Sequence, residues 1–287
     1  MSAPVGMIEN ISDTARWVAM YRALESERPD AHFQDPFARR LAGERGEAIL
    51  RAMPNGRSWG WPMVVRTCVM DELILRAIER DGAKTVLNLA AGLDARPYRL
   101  PLPADLRWIE VDLPEILAYK QRMLSGETPA CRLEGMALDL TDAGRRREQL
   151  ADAASTGPVL VVSEGLLVYL TDEQVRALAT DLHAEPALRW WLIDLGSPRL
   201  LKMIERRWGS HLKAGNAPFR FAPAEGTRFF EPLGWREREF RSVWEESQRL
   251  KREMPLAWLW KILARFSSDK QRQEARRMSG IVLLERV

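Results

Sequence analysis

A single glycine after an apolar run raises the first chemical question of this sequence. Residues 87–100 read LNLAAGLDARPYRL, and only Gly92 stands where a dinucleotide-binding turn of the form G-x-G-x-x-G carries three glycines. Ala90 and Ala95 occupy the other two positions, and their Cβ atoms obstruct the close backbone approach that a pyrophosphate needs. The turn therefore disfavours a dinucleotide, whereas a smaller and less anionic nucleoside can still lie across it.

Carboxylates follow at the ends of the next apolar segments. Asp112 ends WIEVD, shortly after Glu110, and its carboxylate suits the two hydroxyls of a ribose. Asp139 and Leu140 place a carboxylate beside a backbone N–H, a pair that can read the amino group and neighbouring ring nitrogen of adenine. Glu164 ends the run PVLVVSE. Taken singly, Asp112 and Asp139 are as well suited to capping a helix as to binding a ligand. Because such residues follow successive predicted strands, we favour a single ligand site.

The elements that must position these groups are short apolar segments separated by helical patterns. The segments are KTVLNLA, RWIEVD, CRLEGMALDL, PVLVVSEG and RWWLIDLG. Helical patterns begin at Pro114, after Leu140 and after Leu170, where Thr171 can cap. The alternation predicts β-α-β units with right-handed connections in a doubly wound sheet. WREREFRSV and MSGIVLLERV read as two closing strands, so we expect a seven-stranded, mainly parallel sheet whose last strand is antiparallel.

The chain before this alternation reads as helical. SDTARWVAMYRALESERPD has a cap candidate in Ser12 or Asp13, and DPFARRLAG and VVRTCVMDELILRAIERDG each end at a glycine that suits a C-cap. After Gly196 comes an insertion rich in Trp, Phe and Arg. Its aromatic rings suit either an acceptor pocket, which we favour, or the core. The stripe Leu256, Leu259, Trp260 and Leu263 predicts a core or lid helix rather than a membrane-surface helix.

Taken together, these residues resemble a known family. LNLAAGLDARPYRL, WIEVDLPEILAYK, the Asp139-Leu140 pair and SEGLLVYL resemble, in order and spacing, the leucine carboxyl methyltransferase family and its bacterial relatives that methylate polyketides and other natural products. The resemblance extends to TARWVAMYRALE, DPFARRLA and Arg66. The family often has glycine-alanine-glycine in the first turn, whereas this chain has Ala90-Ala91-Gly92.

The resemblance implies an α/β class I methyltransferase that uses S-adenosyl-L-methionine and releases S-adenosyl-L-homocysteine. It implies a Rossmann-like three-layer sandwich with a helical N-terminal cap. Arg66 would pair with the methionyl carboxylate, Asp112 would hold the ribose, and Glu164 would lie near the methyl-donor end. The full set of expected cofactor-binding residues is Arg66, Ala90, Gly92, Asp112, Leu113, Asp139, Leu140 and Glu164.

The resemblance also implies a role for each segment of the chain. Residues 1–62 would form the cap, 63–196 the cofactor-binding core, 197–235 a lid over the substrate, and 236–287 the closing strands and helix. We expect a single domain, present as a monomer or a homodimer.

The acceptor is less constrained than the methyl donor. A carboxylate is already ionised at neutral pH and needs no general base, whereas a phenol or hydroxyl usually does. The lack of an evident base beside SEGLLVYL favours a small-molecule carboxylate, while His211 or Glu164 keeps the phenol alternative open. Tyr169 and Glu164 are the candidates at the reacting end. Arg96 and Arg99 flank the first turn, and Arg99 is expected to fix the loop through carbonyl and acidic neighbours.

Composition excludes several other classes. The chain has 287 residues, a net charge of +3 and 29% charged residues, a balance that disfavours nucleic acid as a partner. No apolar run reaches the about 18 residues of a membrane span, and we expect a cytoplasmic protein. Its two cysteines and three histidines lack metal-ligand spacing, so no metal is expected and both thiols should be buried. A non-catalytic adenosyl-binding protein remains the alternative outside enzymes.

Overall fold

The protein is described from a computed structural model. The structure describes residues 11–53, 55–214, 218–254, 257–259 and 268–287, with the backbone alone for 11–12 and 207–214. The side chain of His211 and all but 257–259 of the helix predicted over 256–266 lie outside the described residues.

Seven strands form one sheet in the order β3-β2-β1-β4-β5-β7-β6. Their bounds are β1 Thr85–Leu89, β2 Arg107–Asp112, β3 Arg132–Ala137, β4 Val159–Ser163, β5 Leu188–Gly196, β6 Trp235–Ser242 and β7 Ser279–Arg286. Strands β1 to β5 pair in parallel, and β7 runs antiparallel to both β5 and β6. The predicted fold class, with its antiparallel last strand, is confirmed.

Helices cover both faces of this sheet. Their bounds are α1 Ile11–Ser26, α2 Ala38–Ala52, α3 Trp61–Glu79, α4 Arg96–Arg99, α5 Pro114–Met123, α6 Ala143–Ala154, α7 Asp172–Ala184, α8 Pro198–Ala214, α9 Val243–Arg249 and α10 Asp269–Arg276. Pro114 stands at the head of α5, and Thr171 caps α7 through a capping box with Gln174. Both start signals act as the sequence predicted.

Two apolar cores lie on opposite faces of the sheet. In β4, Val159 and Val161 pack in one core, while Leu160 and Val162 pack in the other. All residues of β1 and β4 are buried, as expected of central parallel strands with helices on both sides. The two predicted thiols, Cys68 and Cys131, are buried as well.

A third apolar core joins the N-terminal helices to the first turn of the sheet. Residues of α1 and α2 pack with Leu93 and Ala95, which directly follow Gly92. Helical geometry stops at Gly43 (φ 60°, ψ −173°), as the sequence predicted, but a second helical segment follows directly, so that Gly43 forms a kink within α2. The helices thus contact the loop on which the sequence placed the ligand.

No helix within the described ranges is long and apolar enough to cross a membrane.

Candidate active site

A cavity of about 1520 Å³ lies at the carboxyl ends of β1, β2, β4 and β5, beneath α1 and α3. Most of the predicted site residues line it, namely Arg66, Ala90, Gly92, Asp112, Leu113, Glu164 and Tyr169. Asp139 and Leu140 do not line it, although the next residue, Thr141, does. The structure therefore brings the predicted residues to one place and leaves the adenine pair at its margin.

The first turn has an unusual backbone at two positions. Ala90 has φ 53° and Gly92 has φ 52°, both in the left-handed region. Glycine enters that region freely, but an alanine there carries strain from its Cβ. The turn thus has a backbone conformation that glycine adopts easily, although its first residue is Ala90.

Asp112 ties this turn to the second strand. Its Oδ2 accepts a hydrogen bond from the Gly92 N–H at 2.6 Å, and its Oδ1 accepts one from the Leu113 N–H at 2.7 Å. Burial raises the pKa of Asp112, against the opposing effect of these two N–H groups. Each carboxylate oxygen has a further lone pair, so the group can still accept from two hydroxyls that enter the cavity.

Asp139 is exposed and already engaged through one oxygen. Its Oδ1 accepts from both the backbone N–H and the hydroxyl of Thr141, at 2.8 Å and 2.7 Å. These bonds lower the pKa of Asp139. Its Oδ2 receives neither of these two bonds and can accept from a donor at the margin of the cavity.

Glu164 sits between two arginines. Its Oε1 lies 3.0 Å from Arg66 Nε, and its Oε2 accepts from Arg96 Nη1 at 2.7 Å. Burial raises the pKa of this carboxyl, but the charges of Arg96 and Arg66 outweigh burial and lower the pKa to about 2. Glu164 is therefore a held carboxylate with little tendency to take up a proton.

Arg66 has a second partner that the sequence analysis missed. Its Nη1 donates to Asp194 Oδ2 at 3.0 Å, and Asp194 Oδ1 accepts from the Gly165 N–H at 2.7 Å. Asp194 lies near the end of β5 and lines the cavity. The rule that selected Asp112 and Glu164, a carboxylate at a parallel strand end, also applies to Asp194 and would have found it.

Arg96 is the centre of a buried charge network beneath the first turn. It is 2% exposed and donates to Asp71 at 2.6 Å, to Asp94 at 2.9 Å and to Glu164. Arg99 donates to both oxygens of the same Asp71. Both arginines that flank the turn therefore hold the loop in place, as expected for Arg99, and neither is a group free to bind a ligand.

Tyr169 lines the cavity from the turn that follows β4. It lies in the turn Leu167–Tyr169 after β4, and its ring packs edge-on against Phe219 with centroids 5.4 Å apart. Burial raises the pKa of its phenol, although a hydrogen bond with Thr14 opposes the shift. The side chain is thus a neutral wall of the cavity at physiological pH.

The fold and the site together define a class I S-adenosylmethionine-dependent methyltransferase. The family model for leucine carboxyl methyltransferase matches residues 15–183, which is more than half of the chain. The chain belongs to this family.

Similar proteins agree with that assignment. A protein of Parafrankia sp. that bears the name S-adenosyl-L-methionine-dependent methyltransferase is 38% identical over 184 residues, which cover 60% of this chain and 58% of that protein. One of the same name from Mycolicibacterium smegmatis is 33% identical over 249 residues, covering 79% and 83%.

Solved structures share the fold at low sequence identity. A DUF574 family protein from Streptomyces avermitilis superposes with a TM-score of 0.63 at 15% identity, over 96% of this chain and 97% of that chain. A structure from Thermobifida fusca, whose name describes a methyltransferase, has a TM-score of 0.58 at 12% identity, over 98% and 96%.

Proposed function

We propose that the protein methylates the carboxylate of a small molecule, with S-adenosyl-L-methionine as the methyl donor. When bound, the donor supplies an electrophilic methyl group to the acceptor oxygen and leaves as S-adenosyl-L-homocysteine. The contribution of the chain is to position the two molecules and to exclude water.

The observation that carries the carboxylate assignment is that the described residues of the cavity wall include no histidine, and that each carboxylate among them is engaged in an ion pair or in backbone hydrogen bonds. Glu164 has its pKa lowered to about 2, and the pKa of the Tyr169 phenol is raised. A phenol has a pKa of about 10, so the Glu164 carboxylate is a far weaker base than the phenolate it would have to form. It cannot remove a proton from a phenol efficiently. A carboxylate acceptor needs no such step.

The size of the cavity supports two small molecules. About 1520 Å³ exceeds the roughly 300–1,000 Å³ typical of a pocket for one drug-sized ligand. A nucleoside donor at the strand ends would leave space beneath the helices for an acceptor. We therefore propose that residues 1–62 act as a cap and 197–235 as a lid over the acceptor.

The donor fits the groups at the strand ends. Asp112 keeps one lone pair on each oxygen for the ribose hydroxyls, and Gly92 and Ala90 shape the turn beneath it. We propose that Asp139 and Leu140 read the adenine from the margin. Arg66 would meet the methionyl carboxylate, with Glu164 and Asp194 sharing its charge.

The decisive test is a transfer assay with donor labelled in its methyl group, across a panel of carboxylic acids and phenols. We expect label in carboxylic acids only, released by mild base because a methyl ester hydrolyses there. Base-stable label in every product would refute carboxylate methylation and support the phenol or hydroxyl alternative. If no label is transferred while S-adenosylhomocysteine still binds, the protein is an adenosyl-binding protein without this activity.

A further inference from the structure

Among the described residues, four arginines line the cavity, and they fall into two groups. Arg22 donates to Asp35 at 2.9 Å and to the Leu93 carbonyl at 2.6 Å, and Arg66 is held by Glu164 and Asp194. Within the part of the chain that the structure describes, neither Arg199 nor Arg220 has an ion-pair or side-chain hydrogen-bond partner, and both are exposed. With Arg66 assigned to the methyl donor, these two guanidinium groups of the described wall are therefore left for an acceptor.

These two arginines lie close to the carboxyl ends of the neighbouring strands β4 and β5. Arg199 lies in the first turn of α8, directly after β5. The backbone N–H of Arg220 donates to the Val168 carbonyl at 2.7 Å, which fixes this residue beside the turn that follows β4. The ring of the preceding Phe219 packs on Tyr169. Arg220 thus stands beside the turn that contains Tyr169, and Arg199 follows β5, the strand that pairs with β4.

None of the four acids that line the described wall forms an ion pair with these two arginines. Glu164 and Asp194 contact Arg66, and Asp94 contacts Arg96. The fourth acid, Asp112, accepts from two backbone N–H groups at the end of β2. The wall is largely apolar and includes several aromatic side chains, namely Trp17, Trp59, Trp61, Phe219 and Trp244. The cavity thus combines an apolar interior with two unpaired cations, a combination that matches an apolar molecule with one anionic group.

We propose that Arg199 and Arg220 bind the carboxylate of an apolar acceptor acid and make the site selective for the acid over its ester. This inference rests on the proposed function and names its substrate class: aryl or long-chain carboxylic acids. Methylation neutralises the carboxylate, so the ester loses its contact with the guanidinium groups. The same two residues therefore favour acid binding and ester release.

The proposal is tested by calorimetric titration of the protein saturated with S-adenosylhomocysteine. The probes are 4-phenylbutyrate, 1-naphthoate and decanoate, each compared with its methyl ester. We expect at least one acid to bind the wild type about tenfold more tightly than its ester. Arg199→Gln and Arg220→Gln should each weaken acid binding about fivefold without changing ester binding, and the double variant should lose the preference.

Arg189→Gln supplies the matched control, because Arg189 is exposed at the start of β5 and does not line the cavity. It should bind acid and ester as the wild type does. The proposal is overturned if no acid binds at millimolar concentration, if acid and ester bind the wild type equally, or if the control loses as much affinity as the cavity variants.

The titrations measure binding without turnover, so their result can be distinguished from the result of the methyl-transfer assay that tests the proposed function. Arginine-dependent acid binding without ester formation would support the anion site and refute carboxylate methylation. Ester formation that proceeds equally well in the double variant would support the methylation and refute the role of the two arginines.

Discussion

Ala90→Gly should stabilise the protein, although replacing alanine by glycine usually does the opposite. Ala90 has φ 53° in the first turn, and the left-handed conformation costs a non-glycine residue roughly 1–2 kcal/mol. Glycine removes that cost. Against this stands the larger conformational freedom of glycine in the unfolded chain, which disfavours folding by about 0.4–1 kcal/mol.

The difference between these two effects is a net gain of about 1 kcal/mol in the free energy of unfolding. For a domain of somewhat smaller size, 1 kcal/mol corresponds to a Tm shift of roughly 2–4 °C, so a rise of about 2–3 °C is expected. The backbone of the turn is already in the conformation that glycine favours. Affinity for S-adenosylhomocysteine should therefore stay within about threefold of the wild type.

Thermal and urea unfolding of three proteins would measure this effect: the wild type, Ala90→Gly and the control Ala130→Gly. Ala130 is exposed, lies outside helices and strands, and is not among the residues with positive φ. The control should lose about 0.4–1 kcal/mol, because it gains only freedom in the unfolded chain. If Ala90→Gly is destabilised as much as the control, the strain inferred at the first turn does not exist.

Four further outcomes follow from the site. Asp112→Asn should weaken S-adenosylhomocysteine binding about 10- to 100-fold by calorimetry, and unchanged affinity would reject the ribose contact. Arg96→Met should lower the free energy of unfolding by about 3–5 kcal/mol in urea, because it strands buried carboxylates, whereas breaking the exposed pair of Arg40 by Arg40→Met should cost at most about 1 kcal/mol. The pKa of Glu164 is lowered to about 2 in the folded protein, so its ionised form adds to the free energy of unfolding above the pKa of the unfolded chain, and this contribution is lost as the pH falls toward 2. Glu164→Gln should therefore reduce the loss of unfolding free energy at acid pH. An unchanged acid dependence would contradict the pairing with the arginines. With a carboxylate acceptor, His211→Gln should leave kcat and its pH profile unchanged, and loss of a basic limb in that profile would identify His211 as a base.

Strand positions were predictable because buried parallel strands are continuous apolar runs that end at polar residues. The carboxylates at those ends then follow from topology, since consecutive parallel strands present their carboxyl ends at one edge of the sheet. This is why Asp112 and Glu164 were placed at the cavity from sequence. Asp139 was placed by the same rule, but it lies outside the described cavity wall, because its carboxylate turns back onto Thr141.

The partners of the arginines were not predictable in the same way. Arg96 finds its acceptors on α3, in the first turn and at the end of β4, and no local pattern joins these three segments. The distinction between paired and unpaired arginines in the cavity therefore emerges only from tertiary structure. From the sequence, only Arg96 and Arg99 stood out beside the first turn, with Arg99 expected to fix the loop, and nothing singled out Arg199 or Arg220.

The buried network explains how the first turn can hold an alanine in the left-handed region. Asp94 in the loop, Asp71 on α3 and Glu164 after β4 all converge on Arg96. Asp112 holds the loop from the other side through the Gly92 N–H. Because buried ion pairs and hydrogen bonds fix the loop at several points, the turn keeps its conformation despite the strain at Ala90. Cofactor affinity should accordingly depend more on Asp112 and on this network than on the number of glycines, so Ala90→Gly should change binding far less than Asp112→Asn.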